Sequence, residues 1–284
     1  MVLHPTRKVL CALVTVTIFA ALGNGAMAEV RTTEHGGVTV EYAIDGWGPV
    51  VLMIPSLGRP AGDFDLLAKR LVAAGYTAIR PQPRGIGASS GPMQGVSLRD
   101  LAADALSAVP ADAGPIIVIG HAFGQRVGRM LATEYPERVK TMVMLADGGL
   151  APMRPGAREA LTAVFDTSLT PDKHMEMVRF AFFAPGNDAT VWRDGWYPKV
   201  AAMQSESLKA QKTEEWWGAG KAAMLVVQAM QDVVAPPENA KLIQEEFGNR
   251  VTVHEIDGAG HAMLPERPDE IANIVLDYLA AAGK

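Results

Sequence analysis

Short apolar runs alternate with stretches of helical periodicity, and that order leaves few folds open to this chain. Val50–Ile54 is continuously apolar, as a strand buried on both faces must be. Phe64, Leu67, Leu71 and Val72 follow at helical spacing, and Gly75 sits where such a helix would stop. Tyr76–Ile79 reads as a strand, Leu98–Val109 as a helix and Ile116–Ile119 as a strand. Phe123–Tyr135 reads as a helix closed by Pro136, and Thr141–Leu145 as a further strand. Val38–Ile44 reads as an early strand, followed by a turn at Asp45-Gly46-Trp47-Gly48-Pro49. This alternation predicts parallel strand–helix–strand units, helices on both faces of one sheet, and ligands at the carboxyl ends of the strands.

The rhythm stops at Asp147. Residues 150–221 lack it, yet they carry Trp192, Trp196, Trp216 and Trp217, four of the five tryptophans, with Phe180, Phe182 and Phe183. The pattern then resumes with a strand at Met224–Ala229, a helix at Pro237–Phe247, a strand at Val251–Ile256 and a closing helix at Pro268–Leu279. An aromatic-rich insert between two halves of one sheet reads as a helical cap. The expected division is therefore a core of residues 29–149 and 222–284 with a cap of residues 150–221. A chain of 284 residues suits one such domain.

Residues 1–28 read as a secretory signal peptide. His4, Arg7 and Lys8 form a basic start, Val9–Leu22 an apolar run, and Ala26-Met27-Ala28 the small-residue exit, with cleavage after Ala28. Cys11, the only cysteine, lies inside the apolar run, and Lys8-Val9-Leu10 does not fit a lipid-attachment motif. The expectation is a periplasmic or secreted protein whose core is stable without disulfides. The net charge of −5 gives no electrostatic reason to expect nucleic acid or an anionic membrane as partner.

The most informative stretch is Ile116-Ile-Val-Ile-Gly120-His121-Ala122-Phe123-Gly124-Gln125. It resembles the Gly-x-Ser-x-Gly nucleophile elbow of the α/β-hydrolase family, with Ala122 where the serine stands. Only small residues two positions either side let so tight a strand-to-helix turn pack. Val50-Val-Leu-Met-Ile-Pro55-Ser56-Leu57-Gly-Arg is similar to the family's first βα loop, with Pro55-Ser56 replacing His-Gly. By that resemblance the backbone N–H groups of Leu57 and Phe123 are the oxyanion donors. Pro83–Ser89 resembles a family loop that we read as structural. Asp232, just beyond a strand, and His261, in the loop before the last helix, match the family's acid and histidine in position and chain order. The resemblance implies an α/β fold with a mostly parallel sheet of the eight-stranded type, helices on both faces and a helical cap.

Each assignment has a plainer competitor. Asp147, at the end of the preceding strand, is a second place from which this fold can serve its histidine. Asp232 can instead cap the turn ahead of Pro236-Pro237. His121 reads first as a buried packing residue and Ser56 as a loop serine bonded to backbone, although both lie beside the expected pocket. Arg126 and Arg129 are expected to pair with acidic neighbours. The tryptophans at 192, 196, 216 and 217 can line a pocket, pack a core, or do both.

Alanine cannot attack a carbonyl, so acyl-enzyme chemistry through residue 122 is excluded. Three readings follow. The first is an enzyme in which His261–Asp232 serves as general base toward water or substrate, acting on a small apolar or aromatic ester, lactone or other carbonyl compound. The second is a small-ligand binding protein. The third is a Ser→Ala trapped form of a serine esterase. The other departures, Pro55-Ser56 and Gln125 among them, weigh against the third, and retention of both His261 and Asp232 weighs against the second, which leaves the first. No metal is expected, since the histidines are scattered, and no cofactor, since no Gly-rich phosphate cradle follows a first strand. The expected partner is a small molecule, with no nucleic acid and, after leader cleavage, no membrane.

Overall fold

The computed structural model describes residues 28–282; the expected leader, apart from Ala28, lies outside the described residues. Eight strands form one sheet: β1 (Glu29–His35), β2 (Val38–Gly46), β3 (Val50–Ile54), β4 (Thr77–Pro81), β5 (Ile116–His121), β6 (Val139–Leu145), β7 (Ala223–Ala229) and β8 (Val251–Ile256). Their order is β1-β2-β4-β3-β5-β6-β7-β8. β2 runs antiparallel to both β1 and β4, and every pairing from β4 through β8 is parallel. The sheet and its flanking helices are those expected of an α/β fold.

The apolar runs become central strands because both of their faces are covered. Leu52, Ile54, Val118, Met224 and Val226 face one core cluster, and Val51, Met53, Ile119, Leu225 and Val227 face the other. The first cluster is closed by α2 (Leu98–Ser107), α3 (Phe123–Glu134) and α7 (Glu238–Phe247). The second is closed by α1 (Asp65–Ala73) and α9 (Pro268–Ala282), with the short α8 (Met263–Glu266) between the last strand and α9. β1 has no run that announces it. Its residues Glu-Val-Arg-Thr-Thr-Glu-His are mostly exposed at the sheet edge, and it forms by hairpin pairing through Gly36 and Gly37.

Between β6 and β7 the chain leaves the sheet and forms α4 (Ala157–Ala163), α5 (Pro171–Phe182) and α6 (Pro198–Lys209). Thr170 caps α5 and Pro171 opens it, the arrangement that suits an N-terminus lacking acceptors for its first N–H groups. Phe182, Phe183 and Trp192 form a cluster with Val234 and Ala262 of the core, so this insert sits over the carboxyl ends of the strands. Arg84 of the Pro83–Ser89 loop makes a two-point ion pair with Asp104 on α2, a structural contact.

Candidate active site

The elbow geometry is dictated by close packing. Ala122 has φ 48° and ψ −110°, a conformation that costs a residue with a Cβ about 1–3 kcal/mol. Its N–H donates to Leu145 O at 2.9 Å, which ties the turn to β6. A Cβ on Gly120 would lie 2.4 Å from Gln125 N, and one on Gly124 would lie 2.1 Å from Ile54 O. Glycine is thus required at both places. The contact at Gly124 also sets the elbow directly against the end of β3, the strand that leads to Leu57. Phe123 opens α3, where its N–H has no carbonyl of the same helix four residues back to bond.

His261 and Asp232 meet. His261 Nδ1 donates to Asp232 Oδ2 at 2.8 Å, and both side chains are buried. Asp232 Oδ1 accepts the N–H groups of Val234 and Ala235 at 2.8 and 2.7 Å. The acid therefore does both things open to it in the sequence: one oxygen caps the local turn and the other faces the imidazole. With the proton of His261 held on Nδ1, Nε2 carries the lone pair.

His121 lies beside this pair, its ring 5.6 Å from that of His261. Its Nε2–H donates to the main-chain carbonyl of His261 at 2.8 Å, and its buried Nδ1 has no partner among the described residues. Burial, reinforced by His261, holds its pKa down at about 3, so the ring is a neutral donor. Phe182 and Trp192 roof the site, 5.6 Å from the His261 ring and 6.1 Å from the His121 ring. Ala122 and His261 are only 9% and 5% exposed.

Two polar straps join this site to the insert. On the histidine side, Glu266 Oε1 accepts from Ala184 N and Asn187 Nδ2, and Oε2 accepts from Gly260 N. On the other side, Gly58 N–H donates to Gln204 Oε1 at 2.7 Å and Tyr197 N–H to Gly58 O at 3.0 Å. Arg59, buried, pairs with Asp63, donates to Asp194 O and lies 4.2 Å over Trp192 and 4.6 Å over Trp196. Burial raises the pKa of Asp63 despite that pairing. Leu57, immediately before this strap, is half-buried. Glu266, Gln204 and Arg59 are site residues that the sequence reading does not single out, although Glu266 stands five residues after His261 in Gly260-His261-Ala-Met-Leu-Pro-Glu266.

The sequence profile of the alpha/beta hydrolase family matches residues 51–274. This chain belongs to that family. The family assignment accords with the fold, and with a hydrolase as the enzyme class. RutD of Variovorax paradoxus (strain S110), named provisionally as a carbamate hydrolase, is 28% identical over 249 residues, covering 82% of this chain and 92% of that protein. A hydrolase structure from Pseudomonas aeruginosa PA01 superposes with TM-score 0.73 at 20% identity, covering 90% of this chain and 99% of the other. A thermophilic esterase from Thermogutta terrifontis gives TM-score 0.72 at 19% identity over 90% and 99% of the two chains. At such identities the two structures speak for the fold.

As an alpha/beta hydrolase, the chain has two places for its acid, and only one is free. Asp147 does not face the histidine. It pairs with Arg129 at 2.6 Å, with neither side chain exposed, because Arg129 on α3 offers a nearby cation that would otherwise be buried unpaired. Arg126 makes no such pair among the described residues and lies near the Trp216 ring. Of the two places open to the tryptophans, Trp216 and Trp217 take the core rather than the substrate pocket. They pack into the core cluster behind α3, with Arg129 stacked 4.2 Å over Trp217 and Trp217 Nε1 donating to Glu246. Trp192 and Trp196 belong to the aromatic cluster over the site. Ser56 is buried beside the elbow and its carbonyl accepts Arg59 N–H. Among the described residues no three His, Cys, Asp or Glu side chains gather as a metal site.

Proposed function

We propose that this chain is an exported hydrolase for small apolar or ring-bearing carbonyl compounds, esters and lactones first, in which His261 acts without a protein nucleophile. The observation that carries the reading is the intact His261–Asp232 pair beside an elbow residue that has only a methyl group. His261 Nε2 takes a proton from a water molecule as that water attacks the carbonyl carbon. The Leu57 and Phe123 N–H groups hold the resulting oxyanion. The tetrahedral intermediate then collapses, and the imidazolium returns its proton to the leaving oxygen or nitrogen. Asp232 fixes the tautomer and stabilises the imidazolium. Phe182 and Trp192 favour an apolar group on the substrate. Serine hydrolases stripped of triad members keep about 10³–10⁴-fold acceleration over water, a scale that suits this chemistry.

The test is a panel of short aryl esters and lactones assayed with the parent, Ala122→Ser and His261→Ala. Turnover in the parent that disappears in His261→Ala supports the proposal. A silent parent with activity gained in Ala122→Ser replaces it with a lost nucleophile. Binding without turnover in either replaces it with a receptor.

A further inference from the structure

A cavity of about 640 Å³ opens within the insert, apart from the histidine centre. Phe165, Leu169, His174, Met175 and Trp196 give it a mainly apolar lining. Its size falls within the range of pockets that take small organic molecules, about 300–1,000 Å³. Phe165 and His174 meet Trp196 edge-on, with ring centres 5.5 and 5.7 Å apart. Behind, Trp196 meets Phe182 at 5.1 Å and Trp192 at 5.9 Å. Those are the two rings that roof His261 and His121. One layer of rings therefore separates the cavity from the roof of the site.

The rim charges nearly balance. Asp166, Asp172 and Asp194 oppose Arg179 and Arg193, and Asp166 is already engaged by Ser168. The rim thus gives little preference to an ion of either sign, whereas the edge-on rings suit a flat, neutral group. Ala122 and His261 are almost fully covered, so substrate reaches them only past side chains of the roof, and Trp196 adjoins both rings of that roof.

We propose that this cavity is a second ligand site, for a neutral ring-bearing molecule, and that it collects substrate on the outer side of Trp196. The second half rests on the hydrolytic reading above; the binding half does not.

The probe is 2-naphthol, titrated by calorimetry into the full folded chain, with 2-naphthoate as the charged comparison. The parent is expected to bind 2-naphthol at least as tightly as 2-naphthoate. Thr167→Trp, at the exposed rim, and Met175→Trp, in the wall, fill the space and are expected to weaken 2-naphthol at least tenfold. Parent-like binding in both variants, no binding by the parent, or a clear preference for 2-naphthoate overturns the site. With 2-naphthyl acetate, Thr167→Trp is expected to raise KM severalfold at unchanged kcat, and an unchanged KM overturns the collecting role. A parent that binds 2-naphthol yet never cleaves the ester removes the hydrolytic reading and leaves the binding site standing.

Discussion

His121 donates its Nε2 proton to the main-chain carbonyl of His261 across 2.8 Å, from a position with no solvent exposure. The imidazole must stay neutral to fit there, and burial keeps its pKa near 3, against an unfolded value of about 6.5. Between those values the unfolded chain takes up a proton that the folded chain refuses. Stability from this residue is therefore complete above about pH 6.5 and falls as pH drops toward 3, by at most about 1.4 kcal/mol per pH unit. Urea unfolding at pH 7, 5.5 and 4.5 is expected to show this decline. In His121→Gln the part of the slope due to this ring should vanish, and a slope equal to the parent's would show that other groups cause it.

The Asp147–Arg129 pair makes a different prediction. Burial pushes the Asp147 carboxyl up and the Arg129 guanidinium down, while each opposes the other's shift. Removing one partner leaves a charge buried alone, which costs about 3–5 kcal/mol. Asp147→Asn is expected to lose that much in urea unfolding. The double replacement Asp147→Asn with Arg129→Met should recover a good part of it. Should Asp147→Asn unfold like the parent but lose turnover, Asp147 would be serving the site after all.

Glu266 joins three N–H donors from two parts of the chain: Ala184 and Asn187 in the segment after α5, and Gly260 beside His261. Hydrogen bonds to a charged group contribute about 1.5–3 kcal/mol each in such settings, though three that share one carboxylate do not simply add. Glu266→Ala is expected to lower stability by about 2–4 kcal/mol on that scale. Glu266→Gln keeps one acceptor oxygen but turns an N–H₂ toward a donor, and is expected to fold yet lose about tenfold or more in kcat, as misplacement of a catalytic group does. Equal kcat in parent and Glu266→Gln would show that the loop holds its shape without the second oxygen.

What the sequence revealed, and what it concealed, followed the physics of each feature. The central strands were legible because burial on both faces leaves a continuous apolar run, as at Val50–Ile54 and Ile116–Ile119. The elbow was legible because Gly120 and Gly124 answer to backbone contacts that no side chain tolerates. β1 was not, since an exposed edge strand needs no apolar face. The choice between Asp232 and Asp147 turned on Arg129, which lies 18 residues from Asp147 in the chain and meets it only once α3 packs on β6. Trp216 and Trp217 follow the same logic. Their place in the chain puts them in the insert, but packing draws them into the core beneath α3.

Gln204 supplies the last prediction. Its Oε1 accepts the Gly58 N–H at 2.7 Å, and both groups are buried. The next residue toward β3 is Leu57, whose N–H is the proposed oxyanion donor, so a side chain of α6 holds the loop on which that donor rides. Gln204→Ala leaves a buried N–H unpaired, which costs about 1–3 kcal/mol unless the loop shifts. A shift moves the Leu57 donor away from the developing charge. Complete loss of one such donor costs about 10²–10³ in kcat, which sets the ceiling for the effect. Gln204→Ala is therefore expected to lower kcat on aryl esters by about tenfold, with KM changed much less, because ground-state binding depends little on this donor. Gln204→Glu retains an acceptor for the Gly58 N–H and should recover part of the loss. A fall confined to KM in Gln204→Ala would place Gln204 in substrate binding and free the oxyanion loop from α6.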